Sequence, residues 1–201
     1  MLPRSFFARD PVTCARELIG CELVWKECAG IIVETEAYTA LNDEACHTFF
    51  RPSAREFVAT RATGSAYVYL NYGMYWLLNV LVKGGAEDGF VLFRALQPTR
   101  GVERMSIRRH GAESSRGATS LCSGPGKLTI ALGVDGRDHG CDLCGDGLVG
   151  FRTPPQTVEV EADARVGISR AKHLPWRFLA KGSAYVSARP AGARQLSRPA
   201  N

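Results

Sequence analysis

Glu34, Glu36 and Tyr38 stand at alternate positions of the run "IIVETEAY". In a strand, side chains two apart share a face, so Ile32, Glu34, Glu36 and Tyr38 should line one face and Ile31, Val33, Thr35 and Ala37 the other. The carboxylates would then sit ~7 Å apart. Such a pair suits hydrolysis of a glycosidic bond, one carboxylate activating water while the other donates a proton or stabilises positive charge. Either glutamate taken singly is equally well explained by a buried arginine partner such as Arg94. Tyr38 beside Glu36, with His47 nine positions on, gives this face the character of a site rather than a brace.

The second cluster is aromatic. The stretch "YVYLNYGMYW", residues 67–76, reads as two strands meeting at a tight connection, Asn71 to Met74. Tyr67, Tyr69 and Tyr72 could form a platform on which nucleobases stack, although core packing also explains such a cluster. Tyr72, beside the glycine, is expected to project from the turn. Asn79 interrupts the apolar run "WLLNVLV", where a buried amide must find partners and so marks a hydrogen-bond network or a pocket wall. "CSGPGK", 122–127, has small residues that let the backbone approach a phosphate, and Lys127 opens a helix whose N-terminus favours anions; a plain Ser-Gly-Pro turn fits as well. Cys141-x-x-Cys144 lacks the second ligand pair a zinc site needs and the βαβ context of a redox motif, so it reads as coincidental. There is no Walker loop, dinucleotide fingerprint, His-Glu-x-x-His or Gly-x-Ser-x-Gly.

The elements that must hold these residues follow from pattern. "DPVTCARELI", 10–19, is a helix capped by Asp10 with Pro11 in its first turn. "CELVWKECAGIIVETEAY" gives two strands joined near Cys28–Gly30, the second running Ile31 to Tyr38. A short helix is expected around Asp43–His47, then the aromatic hairpin, a strand in "DGFVLFRALQP" ending at Pro98, a helix over 99–110 and another after the Gly-Pro turn at 124–125. Short strands in "QTVEVEADARVGI" and "RFLAKGSAYVS" complete the chain. Strands with interspersed helices and no βαβ rhythm define an α+β single domain.

At 201 residues, with 45% hydrophobic and 22% charged residues, the chain can bury one substantial core. No apolar run reaches the ~20 residues of a membrane helix, and "MLPRSFFARD" lacks the apolar segment of a secretory signal. Seven scattered cysteines suit a reducing compartment rather than a disulfide framework. The net charge of +5 is unevenly spread: all 20 acids lie at or before Asp163. Beyond it come only bases: Arg165, Arg170, Lys172, Arg177, Lys181, Arg189, Arg194 and Arg198. That imbalance allows a face for a polyanion, or a solvated tail with scattered surface arginines. Arg100, Arg104 and Arg108 would line one helical face, most simply a wet surface.

Taken in order, "IIVETEAY", "DEACH", "YVYLNYGMYWLLN", "VLFRAL", "LCSGPGKL" and "RVGIS" closely resemble the alkyladenine (methylpurine) DNA glycosylase family, from about Phe6 to Ser187. The resemblance implies a curved antiparallel sheet flanked by helices with a protruding hairpin, and a base-excision repair enzyme that uses no metal or organic cofactor. It implies a monofunctional, monomeric enzyme whose partner is double-stranded DNA containing damaged purines: 3-methyladenine, 7-methylguanine, hypoxanthine or ethenoadenine. By the same resemblance Glu36 is the water-activating base and Arg94 lies near the catalytic water. Tyr38 and Tyr69 stack on the flipped base, His47 faces it from the rim, and Asn79 helps exclude guanine. Tyr72 fills the gap in the duplex, while Arg55 and Lys127 approach the DNA backbone. Where relatives commonly read Thr-Pro-Arg-Asn, this chain has Ser53-Ala54-Arg55-Glu56, which keeps the arginine but adds a carboxylate. The expected glycosylase domain spans 1–190, with 191–201 a flexible tail, and the expected location is cytoplasmic (nucleoid-associated) or nuclear. The alternative is a non-catalytic DNA-binding homologue that recognises distorted duplex through Tyr72 and the basic C-terminal third; retention of Glu36 argues against it.

Overall fold

The longest strand, β2 (Cys28–Thr39), organises everything else. The computed structural model describes residues 1–111, 117–145, 147–154 and 156–188. Around β2 lie β1 (Glu22–Trp25), β3 (Ala66–Asn71), β4 (Tyr75–Val82), β5 (Gly89–Arg100), β6 (Val149–Arg152), β7 (Val160–Asp163) and β8 (Arg177–Ala180). Their order is β3-β4-β5-β2-β1-β6, with β8 also on β2 and β7 on β8; every pairing is antiparallel. One edge of β2 thus serves two partners in turn: β1 along Cys28–Ile31 and β8 along Glu34–Glu36. The sheet curls around a core that includes Trp25, Phe7, Phe93 and Leu18. The expected α+β domain, with its curved antiparallel sheet and protruding hairpin, is the architecture found.

Among the described residues five α-helices flank the sheet: α1 (Pro11–Glu17), α2 (His47–Phe50), α3 (Pro52–Thr60), α4 (Val102–His110) and α5 (Pro125–Leu132). Asp10 caps α1, its carboxylate accepting from Thr13 N–H at 2.8 Å. Residues 43–46 form a turn ahead of α2 rather than the expected helix, and no pattern in the sequence announced α3. The β1–β2 turn falls at Lys26–Glu27, with Lys26 at φ 54, not at Cys28–Gly30. Gly30 is instead a strand residue, and a Cβ there would meet the Gln97 carbonyl oxygen at 2.9 Å. β5 runs through Pro98 to Arg100, because β4 pairs with it only as far as Leu92. Beyond that point the missing Pro98 N–H breaks no ladder on that side.

Pairing between β2 and β5 is Ile32 with Leu96 and then Thr35 with Phe93, but between them Glu34 faces Ala95. Val33 on one strand and Arg94 on the other are left out of register. Paired irregularities of this kind re-aim side chains beside a site. Ile32 and Val33 both join the main hydrophobic cluster, so Ile32 does not share the face of Glu34, Glu36 and Tyr38 as strict alternation required.

Arg104 and Arg108 pair with Glu27, and Arg100 belongs to β5, so the three form an ordinary surface rather than one helical stripe. No helix among the described residues is long and apolar enough to cross a membrane.

Candidate active site

A cleft of about 730 Å³ opens between the aromatic hairpin, the segment 44–51 and the segment 166–170. Tyr38, His47, Tyr69, Asn79 and Arg94 all line it, so residues far apart in the chain meet at one place. Beneath them a small cluster of Cys46, Ala54, Phe57, Tyr67, Leu81 and Phe90 forms the wall's foundation. Tyr67 stacks on Phe90 with ring centroids 4.5 Å apart, a core role, as expected for this member of the hairpin.

Glu36 lies directly behind the cleft wall and is 0% exposed. Three donors hold it: Tyr38 Oη at 2.8 Å, the Val166 N–H at 2.7 Å and Arg94 Nη1 at 3.2 Å. Burial pushes its carboxyl above the usual range, opposed by the positive charge of Arg94 and by the hydrogen bonds from Val166 and Tyr38. A carboxylate so placed is a stronger base than one in water. Burial, and then the neighbouring Glu36, push the Tyr38 phenol well above its ordinary value, so it stays a donor.

Glu34, also 0% exposed, has a different set of partners. Arg94 Nε donates to it at 2.9 Å and Arg177 Nη1 at 3.2 Å, and Ser187 adds two more bonds, from its hydroxyl at 2.9 Å and its N–H at 2.5 Å. The arginine pairing expected for this glutamate is therefore present. Arg94 bridges the two carboxylates, one from Nε and the other from Nη1.

His47 begins α2 and sets its ring edge-on to Tyr69, centroids 4.2 Å apart, while Nδ1 meets Tyr67 Oη at 3.0 Å. Burial, and then the nearby Arg51 charge, lower its pKa to about 4, so the imidazole is neutral at pH 7. Asn79 Nδ2 donates to the Tyr67 carbonyl at 3.0 Å, which fixes the amide in the wall.

Tyr72 occupies the hairpin tip with φ 50, followed by Gly73 at φ 70. Met74 N–H closes the turn on the Asn71 carbonyl at 3.0 Å. Two successive left-handed residues suit the twist of a tight hairpin, but a tyrosine accepts that conformation at a cost glycine does not bear. Its side chain is 85% exposed, and Met74 beside it 67%. Lys127 is exposed on the first turn of α5, whose Pro125 reaches the cleft. Arg55 Nη1 donates to the Thr48 carbonyl at 2.7 Å and so braces the end of α2.

Of the C-terminal bases, Arg165 and Arg177 are buried in ion pairs and Lys181 pairs with Glu159, so these three do not build a free basic face. Arg170 and Lys172 are exposed, and Arg189, Arg194 and Arg198 lie outside the described residues. Among the described residues no three His, Cys, Asp or Glu side chains group as a metal site.

Several residues at the cleft had no assigned role in the sequence. Arg165 pairs with Asp43 behind Tyr38, Val166 holds Glu36, and Arg51 and Arg170 stand at the mouth. The only signal for Arg165 and Val166 was "RVGIS" itself, a segment in which nothing but the order of motifs drew attention to a main-chain donor.

The methylpurine-DNA glycosylase family model matches residues 5–184. Three relatives, from Rhizobium etli, Rubrobacter xylanophilus and Methanoculleus marisnigri, each bear the name "Putative 3-methyladenine DNA glycosylase". The first is 44% identical over 92% of this chain and 87% of its own length. The second is 43% identical over 83% of this chain and 86% of its own, the third 42% over 94% and 99%. The chain belongs to the methylpurine-DNA glycosylase family.

Proposed function

We propose that the protein is a monofunctional DNA glycosylase that turns an alkylated or deaminated purine out of duplex DNA into the cleft and hydrolyses its N-glycosidic bond. What carries this reading is Glu36: a buried carboxylate held by three donors, immediately behind a cleft walled by Tyr38, His47 and Tyr69. The cleft volume suits a nucleoside-sized ligand.

On this reading the flipped base stacks against Tyr38 and Tyr69 with neutral His47 facing its edge, and Asn79 narrows the wall against the exocyclic amine of guanine. Departure of the base leaves oxocarbenium character on the sugar, which the Glu36 carboxylate stabilises while removing a proton from the attacking water. A cationic lesion such as 7-methylguanine leaves readily; neutral hypoxanthine must gain a proton as it departs. Tyr72 enters the stack where the nucleotide has left and offsets part of the cost of flipping. Arg55 and Lys127 meet the backbone, and the enzyme acts as a monomer.

The test is base release under single-turnover conditions from duplexes carrying hypoxanthine, ethenoadenine or 7-methylguanine. The wild type releases at least one of them, and Glu36→Gln is slower by about 10²–10⁴-fold while still binding. Equal rates for the two proteins exclude Glu36 as the base. Tight lesion binding with no release by the wild type supports a non-catalytic DNA-binding homologue instead.

A further inference from the structure

Arg165 is fully buried at its side chain and does not line the cleft, yet it touches the back of the cleft wall at several points. Its guanidinium lies 4.5 Å from the Tyr38 ring centroid and 5.3 Å from that of Trp176, so it is placed against both rings. Nη1 and Nη2 both reach the Asp43 carboxylate, and Nη1 also donates to the Ala37 carbonyl at 2.9 Å. Its Nε has no hydrogen-bond partner among the described residues. Asp43 in turn accepts from the Ala45 N–H at 3.0 Å, fixing the turn that leads to His47. The next residue along, Val166, gives its N–H to Glu36.

A buried ion pair gains little stability over well-packed apolar residues, so stability alone does not account for this one. A planar guanidinium can lie against rings with its faces while its edge grips a carboxylate; an ammonium cannot do both. Arg165 therefore couples three separate segments: the end of β2 with Tyr38, the 43–46 turn, and the chain from 165 onward that carries the Val166 amide.

We propose that Arg165 is a positioning residue for base excision: it holds the Tyr38 ring in the cleft wall and, through Val166, the Glu36 carboxylate at its working place. The proposal rests on the roles given above to Glu36 and Tyr38. Its effect falls on the chemical step rather than on contact with the DNA backbone, because its side chain is buried and does not line the cleft. The groups facing Glu36 are Arg94 from β5, Glu34 and Tyr38 from β2, Tyr69 from β3, Arg165 and the Val166 amide from the segment after β7, and Arg177 from β8, paired opposite it. Loosening the Tyr38 and Val166 bonds removes donors that favour the charged carboxylate, so the acid limb of the rate profile should move to higher pH.

The test compares wild type with Arg165→Lys, which keeps the charge and loses the planar guanidinium. Expected for Arg165→Lys is binding to an abasic-analogue duplex within about threefold of wild type, with single-turnover release slower by about 10- to 100-fold. The acid limb moves upward, and in the free protein the Tyr38 ring, labelled for NMR, flips faster. Wild-type release with an unmoved pH profile overturns the proposal, as does an unchanged ring-flip rate. Should Arg165→Lys fail to fold, Trp176→Leu, which removes the outer ring but leaves the ion pair, takes its place in the same measurements, and the same outcomes support or overturn the proposal. A wild type that releases no base refutes the proposed activity, while the ring-flip comparison still decides for or against Arg165.

Discussion

The back of the cleft and the tip of the β3–β4 hairpin invert the usual distribution of side chains in opposite senses. Behind the cleft, Glu34, Glu36, Arg94 and Arg177 are charged groups almost wholly removed from water. At the tip, Tyr72 and Met74 are large side chains for the most part exposed to it. The first arrangement holds only because each charge has partners: Glu34 is bonded to two arginines and a serine, Glu36 to Tyr38, Arg94 and a main-chain amide. The second needs no partner inside the protein, and its tight turn presents the ring already formed. A buried network resists change through mutual dependence, whereas an exposed ring can be exchanged with little loss to the fold. In both places the departure from ordinary partition coincides with the proposed chemistry.

The contrast breaks most visibly at Glu34. Glu34→Ala leaves Arg94 and Arg177 buried without their shared carboxylate and should cost about 3–5 kcal/mol, measured by urea unfolding; a loss below about 1 kcal/mol would show the network to be solvent-relaxed. Tyr72→Ser should weaken binding to a lesion-bearing duplex by about 1–3 kcal/mol, with a thermal midpoint close to wild type. If the protein melts early instead, the ring supports the fold and the two regions are not of different kinds. Tyr72→Gly sharpens the same point: relief of the left-handed tyrosine should stabilise the fold by up to about 1 kcal/mol while binding still falls.

At neutral pH the smallest effect is expected at His47, which stands between the two regions. With its pKa lowered from 6.5 to about 4, the folded state binds fewer protons than the unfolded chain in between. Its contribution to stability is thus complete above pH 6.5 and is lost as pH falls toward 4. Histidine NMR should show one ring titrating near pH 4, and His47→Gln should flatten the acid side of the stability profile; a titration near 6.5 would mean an open, hydrated ring.

Much of the site was legible because it is local. Glu36 and Tyr38 follow from the period of one strand, and Tyr69 and Tyr72 from a hairpin with a glycine in its turn; resemblance then tied them to His47, Asn79 and Arg94. The Asp43–Arg165 pair was not legible, since its members are 122 residues apart and meet only when the segment after β7 closes over β2. Nothing in composition marks Val166, whose contribution is a main-chain N–H. The C-terminal bases could not be sorted from sequence for a related reason: charge counted along a chain does not say which arginines are taken inside, and Arg165 and Arg177 are. Among the elements, Gly30 and Pro98 looked like breaks but lie within strands, one at a close backbone approach and the other where β5 has lost its β4 neighbour.

The irregular step between β2 and β5 also bears on how the gene can change length. Val33 and Arg94 are both unpaired, and since each strand advances three residues across the step, pairing resumes in its former register at Thr35 and Phe93. The two departures cancel. Because Ile32 and Val33 both face the core, deleting Val33 would restore plain alternation within β2 and leave Glu34, Glu36 and Tyr38 on the face opposite Ile32. Arg94's departure would then stand uncancelled, and past this step β2 would meet β5 one residue out of its present register. Substitution at position 33 is thus a question of packing, whereas deletion there disturbs the pairing that sets Arg94 beside the two glutamates.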